Sequence, residues 1–207
     1  MASPDISQLI EQLNHKSSPK RRAAAKKLRK LKAKEACPAL LAALQNELND
    51  KRTWETQYQM IMALGESGCI ESLDFLTQLA ERDFEATMIY VAIGDAVTRL
   101  TLINNNNIQP ILKMLVNSRP MFIDGALRAI AILKLQPKQS DIEKIIHYGL
   151  ALDADDNSRT WIAAAAAGWN GDSVTEYLHE CIKSNNQQMQ RAAKAALKNK
   201  YLKWSPL

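Results

Sequence analysis

Helix-breaking and cross-linking residues are scarce in this chain of 207 amino acids. It contains 7 glycines, 7 prolines and 6% aromatic residues, so most of its length can enter helices and little of it favours strands. Its three cysteines, Cys37, Cys69 and Cys181, are an odd number and lie far apart. We therefore expect no disulfide framework and, from that, a reducing cytoplasmic location.

Long apolar stretches are also missing. The longest candidate, residues 161–169, falls well short of the roughly 20 apolar residues that a membrane span needs. Residues 1–18 are polar and charged, without the apolar core of a secretory signal. We expect a protein that has no membrane partner.

Residue patterns that carry chemistry are absent as well. Residues 153–157 open like a calcium-binding loop, but Ser158 stands where the turn needs glycine and Ala164 where a glutamate should bind the ion. The three histidines fall in three different predicted hairpins, and no phosphate-binding loop or nucleophile motif is recognisable. We expect no catalytic residues, no metal site, no cofactor and no small-molecule substrate, so the chain is not expected to be an enzyme.

Helical periodicity, in contrast, runs along nearly the whole sequence. Breakers and polar clusters divide it into helix pairs whose second members begin near residues 19, 52, 84, 120, 158 and 187. A period of about 30–38 residues is typical of stacked helical hairpins. We predict six hairpins: residues 5–14 with 19–32, 35–49 with 52–66, 70–81 with 84–102, 108–117 with 120–135, 140–152 with 158–168, and 173–184 with 187–203.

Two segments resemble a known repeat family. The run from Lys20 to Leu28 (KRRAAAKKL) looks like the second helix of a HEAT repeat, and Ala63 to Gly68 (ALGESG) looks like the helix end of that family. The resemblance implies an all-α fold, a right-handed superhelix (solenoid) of about six HEAT-like hairpins in a single domain, residues 1–207. A globular helical bundle is the alternative.

Charge is distributed unevenly along the chain. Residues 1–34 carry a net charge of +8, residues 35–100 carry −7, and the remainder carries +4. Five basic residues of the second predicted helix are candidates for binding a phosphate or an acidic protein surface: Arg21, Arg22, Lys26, Arg29 and Lys30. The alternative is that they only keep the outer face of a terminal repeat soluble.

The tripeptide Arg-Thr-Trp begins two predicted second helices, at residues 52–54 and 159–161. In HEAT-like folds such helices line the concave surface, and tryptophan and arginine are favoured at interfaces. The candidate partner-binding residues there are Arg52, Trp54, Tyr58, Arg159 and Trp161. Packing of each tryptophan in the core is the alternative.

These features predict a non-catalytic scaffold or adaptor that grips a protein partner on its concave face. A nucleic-acid-binding module that holds phosphates on the basic helices is the first alternative. The resemblance also leaves room for a HEAT-type DNA glycosylase or lyase, although no catalytic residues of that kind can be aligned.

Overall fold

The computed structural model describes residues 5–105, 107–117 and 119–204. Within these ranges the chain forms twelve α-helices and no β-strand, so the predicted all-α fold is confirmed. None of these helices is long and apolar enough to cross a membrane. The chain divides into two compact units, residues 1–106 and 107–207, each built from three helical hairpins.

The helices of the first unit form the hairpins α1/α2, α3/α4 and α5/α6. The second helices form a row in which α4 packs between α2 and α6, while α3 packs against α4. Their bounds are Ile6–Gln12 (α1), Ser18–Leu31 (α2), Cys37–Glu47 (α3), Trp54–Ser67 (α4), Leu73–Leu79 (α5) and Met88–Asn105 (α6).

The second unit repeats this arrangement with the hairpins α7/α8, α9/α10 and α11/α12. Here α10 packs between α8 and α12, and α9 contacts both α7 and α11. Their bounds are Gln109–Asn117 (α7), Pro120–Ile132 (α8), Gln139–Leu150 (α9), Asn157–Ala165 (α10), Asp172–Lys183 (α11) and Gln187–Ala196 (α12).

Neighbouring second helices pack closely because small residues lie between them. In α4 every residue from Thr56 to Gly65 is buried. A Cβ atom added to Gly65 would lie 2.6 Å from the Cα atom of Ala96 in α6. The helix backbones therefore meet at Gly65, which explains the glycine in the predicted helix-end segment.

Two predicted helix ends differ most from the observed ones, the start of α6 and the end of α12. Helix α6 begins at Met88 instead of residue 84, because residues 82–84 form a loop held by the hydroxyl of Tyr90. Helix α12 ends at Ala196 instead of residue 203. There Asn199 takes a left-handed conformation with φ of 53°, and the amide of Lys200 donates to the carbonyl of Ala195.

A disulfide corrects the expectation from the cysteine count. Cys37, at the start of α3, is bonded to Cys69, which follows α4, and their Cα atoms are 5.4 Å apart. The two residues are separated by 32 positions, one repeat period, so the stacking of successive hairpins brings them together. The expected cytoplasmic location was inferred from the lack of a disulfide and loses that support. Cys181 is a free, buried cysteine.

Candidate functional site

Helix α2 presents its lysines on one side. At 100° per residue, Lys20, Lys26, Lys27 and Lys30 fall within an arc of about 120°. All four are exposed, while Leu28 on the opposite side is fully buried. We call these four residues the lysine face; Lys32 and Lys34, also exposed, follow it.

The first arginine of α2 points away from this face and binds α3. The guanidinium of Arg21 donates to both carboxylate oxygens of Glu47, at 2.5 and 2.8 Å. Ser18 donates to the same carboxylate at 3.0 Å, and Glu47 is only 4% exposed. Burial raises the pKa of Glu47, but the hydrogen bonds from Arg21 and Ser18 outweigh burial, and the pKa is lowered. Arg21 therefore holds two hairpins together.

The other two arginines of α2 bind α4. Arg22 forms an ion pair with Glu55. Arg29 is 4% exposed and donates to Glu66 at 2.8 Å and to the side chain of Gln59 at 3.2 Å. Arg21 and Arg29, two of the candidate partner-binding residues, thus stabilise the stack, and Arg29 is not accessible to a partner.

In the part of the chain that the structure describes, the lysine face has no such internal partners. No ion pair of Lys20, Lys26, Lys27 or Lys30 occurs among the residues that the structure describes. The segment from residue 18 to 34 also contains no acidic residue. The positive potential of this face is therefore not neutralised locally, and it extends over about 10 Å at 0.1 M salt.

An aromatic cleft lies at the turn edge of the first unit. Trp54 begins α4 with 37% of its surface exposed and forms one wall of a cavity of about 120 Å³. The cavity lies between the α3–α4 turn and the α5–α6 loop. We call it the Trp54 cleft; it is lined by Leu48, Lys51, Trp54, Gln57, Arg82, Asp83, Phe84, Glu85, Ala86 and Ile89.

The loop on the far side of the Trp54 cleft is held in place by Tyr90. The phenol of Tyr90 donates to the carbonyl of Arg82 at 2.8 Å and accepts from the amide of Phe84 at 3.0 Å. The rings of Phe84 and Tyr90 meet edge to face with centroids 5.5 Å apart. At the surface, Lys51 donates to Glu85 at 3.0 Å. The cleft is therefore preformed.

Two further candidate residues of the first unit have different surroundings. Arg52 is exposed, and its guanidinium donates to the two oxygens of Asp50 at 2.8 and 2.9 Å. Hydrogen bonds from the side chain and amide of Arg52 lower the pKa of Asp50 to about 2. Tyr58 is only 3% exposed, so it does not line an open surface, and its proposed contact with a partner is corrected.

The candidates in the second unit are also largely enclosed. Arg159 is 6% exposed, and its guanidinium carbon lies 5.4 Å from the ring centroid of Tyr177. The Tyr177 hydroxyl donates a hydrogen bond to the backbone carbonyl of Arg159 at 3.1 Å. Trp161 packs against Trp204 with ring centroids 4.8 Å apart. The two Arg-Thr-Trp segments thus differ at the arginine, because Arg52 is exposed and Arg159 is buried. Trp54 is exposed, whereas Trp161 packs against another tryptophan.

One buried carboxylate was not among the residues predicted from the sequence. Asp124 in α8 is 8% exposed and accepts from the amide of Asn157 at 3.0 Å. Burial raises its pKa, and the hydrogen bond of Asn157 only partly opposes this. The available signal was a lone carboxylate inside the apolar run of residues 121–132.

Other polar features are accounted for by their own contacts. A cavity of about 330 Å³ near Arg21 has Glu47 and Asp50 among its lining residues, and their carboxylates already accept hydrogen bonds from Arg21 and Arg52. The described ranges contain no cluster of three or more histidine, cysteine or acidic residues that could hold a metal ion. The basic residues Arg191, Lys194 and Lys198 of the last hairpin are exposed.

The repeats can now be compared with known proteins. The family model of HEAT repeats matches residues 6–94, which include α1 to α5 and the start of α6. Residues 6–94 belong to the HEAT-repeat family. The lysine face and the Trp54 cleft both lie within these HEAT repeats. No curated protein matches the chain in sequence.

A solved structure similar to the chain corrects one expectation. Human deoxyhypusine hydroxylase in complex with glycerol matches with 13% identity and a TM-score of 0.42, over 96% of this chain and 85% of that protein. That protein is an enzyme, so the expectation that this chain is not an enzyme is contradicted. At this identity and TM-score the likeness assigns no activity to the chain.

Proposed function

We propose that this HEAT-repeat chain is a scaffold that binds a protein partner, and that the lysine face of α2 receives an acidic surface of that partner. One observation carries the proposal. The three arginines of α2 are paired with glutamates of α3 and α4, whereas the four lysines of the same helix are exposed and have no ion pair within the described ranges. The arginines therefore stabilise the stack of helices, whereas the lysines remain able to bind an anionic group of another molecule.

A protein fits this face better than a nucleic acid does. Outside α2 the first unit is acidic, with a net charge of −7 over residues 35–100, which would repel a long phosphate backbone. The lysine face also carries no aromatic residue on which a base could stack. A compact acidic patch can contact the lysines without extending over the neighbouring acidic surface.

Charge reversal of the lysine face tests the proposal. The variant Lys20→Glu, Lys26→Glu, Lys27→Glu, Lys30→Glu is compared with the matched variant Lys194→Glu, Lys198→Glu, Lys200→Glu, Lys203→Glu in the last hairpin. Both change the net charge equally. The probes are a labelled 12-residue peptide rich in aspartate and glutamate and a DNA duplex of similar charge, measured by anisotropy at low and high salt. Circular dichroism and the melting temperature report folding.

We expect the lysine-face variant to lose at least about tenfold in affinity for the acidic peptide and the matched variant to lose little, since local charge decides binding. Both should remain folded, because the replaced side chains are exposed. Equal loss in both variants would mean unspecific attraction and would contradict the proposal. Tighter binding of the duplex than of the peptide would favour the nucleic-acid alternative.

A further inference from the structure

We infer that the Trp54 cleft is a subsite for an apolar side chain of the same acidic partner, which is then recognised as an acidic peptide segment with one leucine- or phenylalanine-sized anchor. The inference rests on the proposed function, because it adds an anchor to the acidic contact with the lysine face.

Trp54 supplies exposed apolar surface at the start of a helix that is otherwise mostly buried. Its exposed fraction is 37%, whereas residues from Thr56 to Gly65 are buried. The cavity of about 120 Å³ beside it, with Phe84 and Ile89 among its lining residues, has room for several water molecules. An entering apolar side chain would displace this water and bury part of the indole, the kind of contact that dominates many interfaces.

The cleft does not need to form on binding. The two hydrogen bonds of the Tyr90 phenol fix the loop of Arg82 and Phe84, and the Lys51–Glu85 pair connects the two rims. A preformed site spares the partner the entropy cost of ordering a loop. The rim residues Lys51, Arg82, Asp83 and Glu85 have opposing charges, so the cleft itself selects for an uncharged side chain.

The cleft and the lysine face lie on two sides of α4, because α4 packs between α2 and α6 and the cleft opens on the side of the α5–α6 loop. The ion pair of Arg22 and Glu55 joins α2 and α4 beside Trp54, and Lys26 lies one turn beyond Arg22 in α2. Packed helices are about 8–10 Å apart, so the way from the α6 side of α4 to α2 is roughly 16–20 Å, which about five to six extended residues span. Glu55, which lies on this way, is paired with Arg22. An anchor and an acidic run about six residues away can therefore bind together.

The experiment uses the full chain and two synthetic peptides. The anchored peptide has an acidic run and one leucine about six residues away; the unanchored peptide has serine in place of the leucine. Affinities are measured by anisotropy for the wild type, for Trp54→Ala and Trp54→Phe, and for Leu197→Ala. Leu197 is the matched control because its exposed fraction, 37%, equals that of Trp54 and it lies in the other unit.

We expect the leucine to improve the affinity for the wild type by about tenfold, and Trp54→Ala to remove this gain without changing the binding of the unanchored peptide. Trp54→Phe should keep part of the gain, and Leu197→Ala all of it. The lysine-face variant should weaken both peptides while the gain remains visible at low salt. These results would support the inference.

Failure of the inference and failure of the proposed function give different results. If both peptides bind the wild type equally and Trp54→Ala changes nothing, the subsite is refuted and the acidic contact stands. If neither peptide binds, both ideas fail. If Trp54→Ala weakens both peptides alike, or if it abolishes self-association seen by sedimentation, the residue has another role and the inference is overturned.

Discussion

Arginine and lysine have different roles in the second helix. Arg29 uses the planar guanidinium to contact Glu66 and Gln59 at once, which a lysine ammonium cannot do with the same geometry. Lys26 and Lys30, on the outer face, have no acidic partner among the described residues. Helical spacing alone predicts one binding set of basic residues, because it does not tell which side chain has a glutamate on the neighbouring helix.

The pKa of Asp124 leads to a prediction at the residue scale. Burial raises this pKa above its value in the unfolded chain, so the folded protein binds the proton more tightly. Stability should therefore be lost as the pH rises from about 4 through the raised pKa. Asp156 adds to the rise and Arg128 opposes it. Asp124→Asn stays neutral and can still accept from Asn157, so we expect it to match the wild type at pH 4 and to exceed it at pH 7.

Urea unfolding of the wild type and Asp124→Asn between pH 4 and 8 measures this difference. Asp155→Asn is the control: its carboxylate is exposed and its pKa is lowered by Ser184 and Asn185, so its effect on stability should have the opposite sign. A constant loss of stability in Asp124→Asn at every pH would mean that the charged carboxylate is favourable in the fold.

At the scale of helices, sequence patterns predicted the elements well and their partners poorly. The hairpins agree with the predicted ones because apolar spacing and breakers act locally. Contacts between hairpins join residues about one repeat apart, as in the pairs Arg22–Glu55, Arg29–Glu66 and Cys37–Cys69. Oppositely charged residues and cysteine pairs at that offset in the sequence indicate the ion pair of the buried Arg29 and the disulfide. The cleft depends on the loop fixed by Tyr90, for which no local pattern exists.

Close packing of α4 on α6 gives a prediction at this scale. Gly65→Ala should destabilise the protein by about 1–2 kcal/mol, because the new methyl group meets the backbone of Ala96, and the better helix propensity of alanine only partly offsets this. Gly149→Ala is the matched control in the second unit, where the added atom meets the side chains of Ile162 and Tyr177.

Chemical denaturation of both glycine variants provides the measurement. Gly149→Ala should cost no more than Gly65→Ala, since its added methyl group meets side-chain atoms of Ile162 and Tyr177 at 2.8–3.0 Å, whereas at Gly65 it meets a helix backbone at 2.6 Å. If Gly65→Ala is as stable as the wild type, the two helices are not held at this distance in solution.

For the whole molecule, charge and cross-linking distinguish the two units. The first unit combines the lysine face with an acidic remainder and contains the disulfide, while the second has the free Cys181. Burial raises the pKa of the Cys181 thiol, which makes it a poor nucleophile. Reducing agents should therefore act on the molecule through the first unit, where the bond closes a loop between Cys37 and Cys69.

Reduction of that bond is expected to lower the free energy of unfolding by up to about 3–4 kcal/mol, the loop-entropy value for a separation of 32 residues. Hydrogen exchange followed by mass spectrometry, with and without reductant, should show the loss of protection in residues 5–105 and little change in residues 107–204. Cys37→Ser with Cys69→Ser should reproduce the effect without reductant, and Cys181→Ser should not. Equal loss of protection in both ranges would mean that the units unfold together, and free thiols at Cys37 and Cys69 in the purified protein would show that the bond is not formed.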